Sequence, residues 1–274
     1  MEEKKTERKI RQEQIRLGTH GEDYGSWMST PTFCIIGGVA LLFVLAAFLL
    51  GLPRRTVLGV LFGLAAVALL AVLFWFAWIR RQYSFRGGRA MEQVHRGILS
   101  HMDYDGKGRI LEVGCGSGAL AIRAALTWPE AEAVGVDYWG MVYSYSKSLC
   151  ETNAKCEGVA DRCTFVHGNA VRLDFPDESF DAVMSNYVYH NISGADKQKL
   201  LLESLRVLKK GGVFALHDIM QFRHYGDMEA FAQSLRDSGY QEVRLIDTAQ
   251  EFLGSQKRAD LLLLGASRLL VGKK

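Results

Sequence analysis

The most prominent pattern along the chain is a long apolar block between two polar regions. Residues 32–79 contain 38 apolar residues among 48 and only two charged ones, Arg54 and Arg55. Residues 32–52 and 56–79 are uncharged runs of 21 and 24 residues, and a helix needs roughly 20 residues to cross about 30 Å of hydrocarbon. The pattern predicts a hairpin of two transmembrane helices, 32–52 and 56–79.

Beyond the block, short runs rich in β-branched residues alternate with amphipathic segments. Such alternation is typical of a parallel sheet with helices on both faces. We therefore expect an α/β domain over 105–274 with a seven-stranded, mostly parallel sheet. The predicted strands are 109–114, 133–137, 164–167, 181–186, 213–218, 243–247 and 260–265, and the predicted helices are 119–127, 141–158, 196–208 and 228–238.

Two further segments flank the hairpin. Residues 1–31 form a charged N-terminal tail, and residues 80–104 are predicted to be a linker with a helix near 89–102. If this helix packs antiparallel to the first strand, its start lies at the carboxyl edge of the sheet. The linker, with Tyr83 and Phe85, would then lie between the bilayer and the mouth of a site, and the helix would form part of a lid.

The distribution of basic residues near the predicted spans indicates their orientation. Six Lys or Arg residues precede the first span and four follow the second, whereas only two lie between them. The positive-inside rule then places both termini and the α/β domain in the cytoplasm, as in a multi-pass membrane protein. Aromatic residues at the span edges fit an interfacial belt; these are Trp27, Trp75 and Trp78. Gly59 and Gly63 are spaced for a helix–helix contact, either within the hairpin or in a homodimer.

Net charge and cysteine spacing exclude several classes of protein. The net charge is +3, and residues 80–274 carry 25 basic against 24 acidic residues, so no basic excess indicates nucleic acid. The five cysteines include no Cys-x-x-Cys pair. Neither a zinc site nor a disulfide framework is predicted, and no metal is expected.

Candidate ligand-binding residues follow the first two predicted strands of the domain. The run from Ile110 to Gly118 passes from a strand through a glycine turn (Gly114, Gly116, Gly118) into a helix, so backbone can approach a ligand closely. Asp137 ends the next strand, where a carboxylate can accept hydrogen bonds from both hydroxyls of a ribose. The pair indicates a nucleoside-containing cofactor.

Five motifs in order and spacing resemble those of class I S-adenosylmethionine-dependent methyltransferases. They are Glu112-x-Gly114-x-Gly116-x-Gly118, Asp137, His167-Gly168-Asn169-Ala170, Phe180-Asp181-Ala182-Val183, and the run from Leu205 to Gly212. The chain is most similar to the small-molecule group that contains the ubiquinone and menaquinone C-methyltransferases. The resemblance implies a Rossmann-like fold, S-adenosylmethionine as co-substrate and no metal.

The same resemblance assigns cofactor-binding roles residue by residue. Glu112 would approach the methionine amino group, Asp137 would hold the ribose, and Tyr138 and Trp139 would pack near adenine. Asn169, with an amide where the family usually has an acid, would contact the adenine edge together with Ala170. The full predicted set is Glu112, Gly114, Cys115, Gly116, Gly118, Asp137, Tyr138, Trp139, Asn169, Ala170, Ser185 and Asn186.

The segment after the fourth strand, Ser185 to Ile192, departs from relatives that methylate amides or adenine, because it lacks Asn/Asp-Pro-Pro-Tyr.

His190 is the predicted general base, since imidazole titrates near neutral pH; a solvent-facing or helix-capping histidine is the alternative. Tyr187 is predicted as a second catalytic residue that lines the acceptor pocket, with simple packing as its alternative. His217 and Asp218 are adjacent in a strand and point to opposite faces, so the sequence does not favour them as a catalytic pair.

These features predict a membrane-anchored methyltransferase that acts on a small acceptor, lipidic or associated with the membrane. Two alternatives remain open. One is a methyltransferase for a soluble small molecule or a protein, in which the hairpin only localises the enzyme. The other is a membrane scaffold that binds S-adenosylmethionine without turnover.

Overall fold

The computed structural model describes residues 2–25, 30–50, 56–140 and 145–274. Three features of the sequence analysis lie outside these residues: Trp27, the basic pair Arg54 and Arg55, and the predicted start of a helix at Met141. The methyltransferase-like region is built on one seven-stranded sheet, and the apolar helices precede it in the chain.

The sheet is mixed, and one of its strands runs against all the others. The strand order is β3-β2-β1-β4-β5-β7-β6, and β7 pairs antiparallel with both β5 and β6. The predicted seven-stranded, mostly parallel sheet is therefore confirmed. The strands are β1 Gly108–Val113, β2 Ala131–Asp137, β3 Cys163–His167, β4 Phe180–Asn186, β5 Leu208–Ile219, β6 Gln241–Asp247 and β7 Ser267–Lys273.

Helices cover both faces of this sheet. Buried side chains of α4, α5 and α6 form the core on one face, and those of α7 and α9 form the core on the other. The helices are α1 Glu2–Gln14, α2 Thr30–Leu50, α3 Thr56–Tyr83, α4 Ala90–Ser100, α5 Ala119–Thr127, α6 Lys147–Cys156, α7 Lys197–Arg206, α8 Phe222–Tyr225, α9 Met228–Asp237, α10 Ala249–Leu253 and α11 Gln256–Leu261, with a 3-10 turn at Tyr189–Asn191.

The predicted strand at 260–265 is wrong. Residues up to Leu261 belong to α11, which begins where the Ser255 side chain accepts a hydrogen bond from the Arg258 N–H. Four consecutive leucines fit a buried strand or a helix end equally well by periodicity. The chain turns after them, and the final strand is Ser267–Lys273, which fills the space between β5 and β6.

The two apolar helices pack against each other. Gly63 of α3 lies against α2, since a Cβ built on it would be 4.0 Å from the Ala47 Cβ, and the Phe43 and Phe62 rings are 5.6 Å apart. Gly63 is therefore used within the hairpin. Most other apolar side chains on both helices are exposed, unlike those of a soluble core.

Length distinguishes the two helices as membrane spans. Val57–Tyr83 is 27 residues long, its most apolar 18 residues have a mean hydropathy of 2.9, and it is long and apolar enough to cross a bilayer. The described apolar stretch of α2 is Phe33–Leu49, which rises about 25 Å against the roughly 30 Å of hydrocarbon. Among the described residues, one helix is long and apolar enough to span a membrane. A topology with two spans therefore stays a proposal.

Residues 15–25, the N-terminal segment, are packed on the methyltransferase-like region instead of extending into solvent. Leu17 is fully buried, and the Tyr24 ring lies 4.8 Å from the Phe85 ring of the linker. Arg86 of the linker donates to the carbonyl oxygens of Gly18, at 2.8 Å, and of Glu22, at 3.1 Å. Mixed charge in the sequence gave no indication of this packing.

Candidate active site

The turn between β1 and α5 forms one wall of a cleft at the carboxyl edge of the sheet. Gly114, Gly116 and Gly118 have φ values of 73°, 53° and 82°, a region that favours glycine. A Cβ on Gly114 would lie 2.3 Å from the Val188 side chain, whereas one on Gly116 would meet the Tyr145 ring at 3.4 Å. Gly114 is thus required for packing against the turn after β4, and Gly116 faces the Tyr145 ring.

Asp137, at the end of β2, holds the glycine turn in place. One carboxylate oxygen accepts from the Gly116 N–H at 2.8 Å and the other from the Trp139 N–H at 2.7 Å. The Trp139 indole N–H in turn donates to the Gly116 carbonyl at 2.9 Å. A ribose hydroxyl that binds Asp137 must therefore share or replace one of these backbone donors.

Aromatic side chains lie next to Asp137 at the ends of β2 and β3. The exposed Tyr138 ring lies 5.4 Å from the His167 ring, and Trp139 lies 6.4 Å from it. These faces can stack on a planar base. His167 was not singled out from the sequence as a separate ligand residue, although it belongs to one of the motifs.

The other residues predicted to bind the cofactor differ in how far their side chains can reach a ligand. The Asn169 side-chain oxygen accepts from the Val171 N–H at 2.9 Å, which closes a local turn, while the residue itself is exposed. Ala170 packs against the core of the α7 face. Cys115 is buried, and its Sγ would touch a Cβ on Gly135, so only its backbone can face the cleft.

Glu112 is buried beneath the glycine turn. Its carboxylate accepts from the Ala121 N–H in the first turn of α5 at 2.7 Å, where a negative charge also complements the helix dipole. Burial raises the pKa of Glu112 well above its ordinary value, against the opposing effect of that hydrogen bond. A cationic amino group brought to this carboxyl would favour its ionised form.

The end of β4 is joined to two buried histidines. The Asn186 side-chain oxygen accepts from His217 Nδ1 at 2.8 Å, and its NH₂ donates to His95 Nε2 at 3.2 Å. Burial lowers the pKa of both histidines to about 3, so both are neutral at physiological pH. Asn186 thus links α4 to the sheet. The predicted cofactor residue Ser185 is fully buried.

His190 is held by Asp218, a pairing that the sequence analysis did not identify. His190 Nδ1 lies 2.5 Å from Asp218 Oδ1, and its backbone N–H donates to Oδ2 at 3.2 Å. Because a carboxylate can only accept, Nδ1 carries the proton and Nε2 carries the lone pair. His217 turns away from Asp218 toward Thr248 and Asn186, as the alternation of strand residues predicts.

Asp218 is fully buried. Burial alone would raise the pKa of Asp218, but the hydrogen bond and charge of His190, together with the Ile219 N–H, hold the pKa below its ordinary value. An ionised carboxylate behind an imidazole fixes its tautomer and stabilises the imidazolium that forms when it accepts a proton. The pair therefore has the geometry of a general base.

Tyr187 adopts a strained backbone conformation beside this pair. Its φ is 56°, which is uncommon for a non-glycine residue. Its hydroxyl lies 2.9 Å from Ser267 Oγ, and its ring lies 4.7 Å from the His217 ring. Burial raises the pKa of Tyr187 far above the usual value, so its hydroxyl stays neutral.

A cavity of about 590 Å³ opens beside His190. Its size falls within the range typical of small-molecule sites. None of its other lining residues was predicted from the sequence, because they come from the end of β5, from α8 and α11 and from the adjoining loops, which only the fold brings together. The lining consists of His190, Ile219, Gln221, His224, Asp260, Leu263, Gly265 and Ala266.

The carboxyl-terminal part of α3 lies against one rim of this cavity. The Trp75 indole N–H donates to the Leu261 carbonyl at 3.2 Å, and the Tyr83 hydroxyl donates to the Leu262 carbonyl at 2.5 Å. Leu261 and Leu263, on the same rim, are exposed. The apolar helix and the cavity wall are therefore directly connected.

Comparison with known proteins shows that the central region is similar to one family, and that the chain spans about half or less of the length of several curated relatives that it matches. Residues 111–216 match the family model described as "Methyltransferase domain". The chain is 28% identical over 176 residues to the demethylmenaquinone methyltransferase of Geobacillus kaustophilus, which covers 60% of this chain and 72% of that protein. It is 32% identical over 125 residues to a sterol 24-C-methyltransferase of Aspergillus fumigatus, but this covers 45% of the chain and only 31% of that enzyme.

A solved structure shows the same fold. The geranyl diphosphate C-methyltransferase of Streptomyces coelicolor, in complex with Mg²⁺, geranyl diphosphate and S-adenosyl-L-homocysteine, superposes with a TM-score of 0.52 at 14% identity, and the match covers 68% of this chain and 80% of that one. The glycine turn, Asp137 and the adjacent exposed aromatic ring suit the cofactor of these proteins. Residues 111–216 therefore match a methyltransferase domain, and the chain has the Rossmann-like fold of S-adenosylmethionine-dependent methyltransferases to which it is similar.

Proposed function

We propose that the chain is a membrane-anchored methyltransferase that transfers a methyl group from S-adenosylmethionine to a small lipidic acceptor. The observation that carries the proposal is the His190–Asp218 pair beside a cavity whose rim contacts α3. The pair supports proton removal from the acceptor, and the position of α3 supports delivery of the acceptor from a membrane.

The cofactor would lie between the glycine turn and Asp137, with Tyr138 next to its base and Glu112 near its amino group. When bound, S-adenosylmethionine supplies an electrophilic methyl group on a sulfonium, so the protein's task is alignment and exclusion of water. Val188 packs on Gly114, and it lies two residues before His190. The acceptor side and the cofactor side are thus joined through one short turn.

His190 would take a proton from the acceptor through Nε2 as the methyl group is transferred. The proton ends on the imidazole, and the negative charge of Asp218 stabilises the resulting cation. This role favours an acceptor with an acidic O–H, N–H or activated C–H group. A sulfur or carbon nucleophile that needs no deprotonation would leave the pair without a function.

Membrane anchoring by the α2–α3 hairpin is part of the proposal. The helices expose apolar side chains over most of their surface, and such patches on soluble monomers are rarely this large. Basic residues flank the hairpin on the side of the methyltransferase domain, which favours a cytoplasmic domain with both termini on that side. Trp75 and Trp78 would then lie at the interface.

The cavity rim supports a lipidic acceptor. Phe222, Leu261 and Leu263 are exposed apolar residues on or next to the cavity lining. Trp75 and Tyr83 donate to the carbonyl oxygens of residues 261 and 262, so this rim would lie level with the proposed interface. An amphiphilic acceptor could therefore keep its tail among these side chains while its reactive head enters beside His190.

Full-length protein in lipid nanodiscs, supplied with labelled S-adenosylmethionine and a membrane lipid extract, tests the proposal. We expect label in an extractable lipid, and we expect Leu263→Glu to lower its formation at least tenfold by raising KM. Leu202→Glu is a matched control, because Leu202 is as exposed as Leu263 but lies on α7 away from the cavity. Label only in a soluble metabolite or in protein would contradict the lipidic acceptor.

The two alternatives predict different outcomes of the same experiment. Methylation of a soluble molecule would continue unchanged in Leu263→Glu. A binding scaffold would take up S-adenosylmethionine without transferring label to any fraction. Binding without transfer would refute the catalytic role of the His190–Asp218 pair as well.

A further inference from the structure

A cluster of three ligand-type side chains joins the N-terminal segment to the end of α6. His20 and Glu22 belong to the segment, and Glu157 follows α6. A ring nitrogen of His20 and one carboxylate oxygen from each glutamate lie within 4.8 Å of one another. None of the three residues lines the cavity beside His190, and the cluster plays no part in the proposed methyl transfer.

Each carboxylate in the cluster is held by a donor on one oxygen and turns the other oxygen inward. The Tyr24 hydroxyl donates to Glu157 Oε1 at 3.1 Å, and the His20 backbone N–H donates to Glu22 Oε2 at 2.6 Å. The remaining oxygens are Glu157 Oε2 and Glu22 Oε1. Orientation of ligands by such outer hydrogen bonds is typical of metal sites.

Glu22 Oε1 provides the observation that points to a ligand. Glu22 is 3% exposed, and Oε1 is buried without a hydrogen-bond partner among the described residues. One carboxylate oxygen of Glu22 and one of Glu157 lie within 4.8 Å of each other, and neither ionised carboxylate can donate a hydrogen bond. Two buried carboxylates at this distance require either a shared proton or a cation between them.

The spacing fits a small divalent ion. His20 Nδ1 lies 3.2 Å from Glu157 Oε2, and ligand atoms bound tetrahedrally at about 2.0 Å lie about 3.3 Å apart. One imidazole and two carboxylates form a mixed set of the kind that binds Zn²⁺ or Mn²⁺. The set contains no cysteine, so the cysteine spacing of the sequence gave no sign of it.

We propose that His20, Glu22 and Glu157 form a divalent transition-metal site that fastens the N-terminal segment to α6. Asn153 connects this segment with the glycine turn. Its side chain donates to the carbonyl oxygens of Asp23, at 2.8 Å, and Ser117, at 3.0 Å, and accepts from the Asp23 N–H at 2.9 Å. The segment is therefore connected through one buried amide to the glycine turn.

Zn²⁺ titration of the chelator-treated full-length protein tests the site. We expect calorimetry to detect one Zn²⁺ equivalent that His20→Ala and Glu22→Gln each weaken more than tenfold. His101→Ala is the matched control, because His101 also pairs with a glutamate, Glu251, at 2.7 Å, but outside this cluster. His20 is largely exposed, so its replacement decides the matter if Glu22→Gln fails to fold.

Hydrogen exchange provides a readout that does not depend on activity. Zn²⁺ should slow exchange of the Asp23 amide in the wild-type protein and in His101→Ala, but not in His20→Ala. Zn²⁺ binding of equal stoichiometry and affinity in all variants would overturn the proposal. A second pair of results would also overturn it. If Glu157→Gln slows exchange of the Asp23 amide without metal, and Zn²⁺ does not change exchange in the wild-type protein, the two carboxylates share a proton and do not bind a metal.

Discussion

His190 and Asp218 form an imidazole–carboxylate pair that connects the turn after β4 with the end of β5, with Nδ1 2.5 Å from Oδ1. The carboxylate is fully buried, whereas the imidazole is partly exposed and lines the cavity. The buried partner thus fixes the ring while the opposite ring nitrogen remains on the acceptor side. This relationship leads to the first prediction.

Asp218→Asn is expected to lower kcat by about 100- to 10,000-fold, the range of a general-base contribution. An amide can donate to Nδ1 and so favour the wrong tautomer, in which Nε2 carries the proton. Steady-state kinetics with labelled methyl donor measure the loss, and calorimetry should show unchanged cofactor affinity. His101→Ala serves as the control, and an Asp218→Asn enzyme of normal kcat would exclude the base.

Asp137→Ala is expected to weaken S-adenosylmethionine binding at least tenfold, about 1.4 kcal/mol. It should also lower the melting temperature, because the side chain accepts from the backbone N–H groups of Gly116 and Trp139. Calorimetry and thermal unfolding measure the two effects. Asp247→Ala is the matched control, since Asp247 ends β6 and accepts a local hydrogen bond from the Ala249 N–H. Binding of NAD by the wild-type protein would contradict the family assignment of the site.

Cofactor binding is expected to release a proton from Glu112. Burial raises the pKa of Glu112 in the free protein, and a bound ammonium group would lower it. Affinity should therefore increase as the pH rises from the ordinary carboxyl value toward the raised one, and level off above it. Calorimetry in two buffers of different ionisation enthalpy measures the released proton. Glu112→Gln should abolish the proton release that accompanies cofactor binding. If the variant releases as many protons as the wild-type protein, another group is the source of the proton.

Glu92→Gln is expected to lower the free energy of unfolding by about 3–5 kcal/mol, the cost of leaving a buried charge unpaired. Glu92 Oε1 lies 3.1 Å from Arg123 Nη2, and both side chains are almost fully buried between α4 and α5. Denaturant unfolding of the full-length protein measures the loss. Glu251→Gln, at an exposed pair, should cost less than about 1 kcal/mol. The double variant Glu92→Leu with Arg123→Leu should recover much of the lost free energy of unfolding. A double variant as unstable as Glu92→Gln would show that the unpaired charge of Arg123 is not the cause of the loss.

The sequence predicts elements well where one local pattern determines them. The helix Ala119–Thr127 begins and ends as expected, because Gly118 provides the left-handed turn before it and Pro129 follows it closely. The leucine run at 261–264 shows the opposite case, since helix and strand fit it equally. Its alternating burial arises from the turn after α11 and not from a pleated strand.

The predicted site residues are only partly explained by sequence. Asp137 and the glycine turn lie together because parallel strands end at one edge of the sheet. The partner of His190 lies 28 positions away, and a strand pattern shows only that Asp218 faces away from His217. The N-terminal segment was missed for a similar reason: Leu17 and Tyr24 are isolated apolar residues among charges, and only tertiary packing gives them a common core.

The contacts of Arg86 with Gly18 and Glu22 have a mechanical consequence. They join the chain before α2 to the chain after α3, so the apolar hairpin leaves and returns at one point on the methyltransferase domain. A domain attached through a single flexible tether would rotate freely and meet a surface in any orientation. Here two adjacent attachment points suppress that rotation, so the same side of the domain always faces the apolar hairpin.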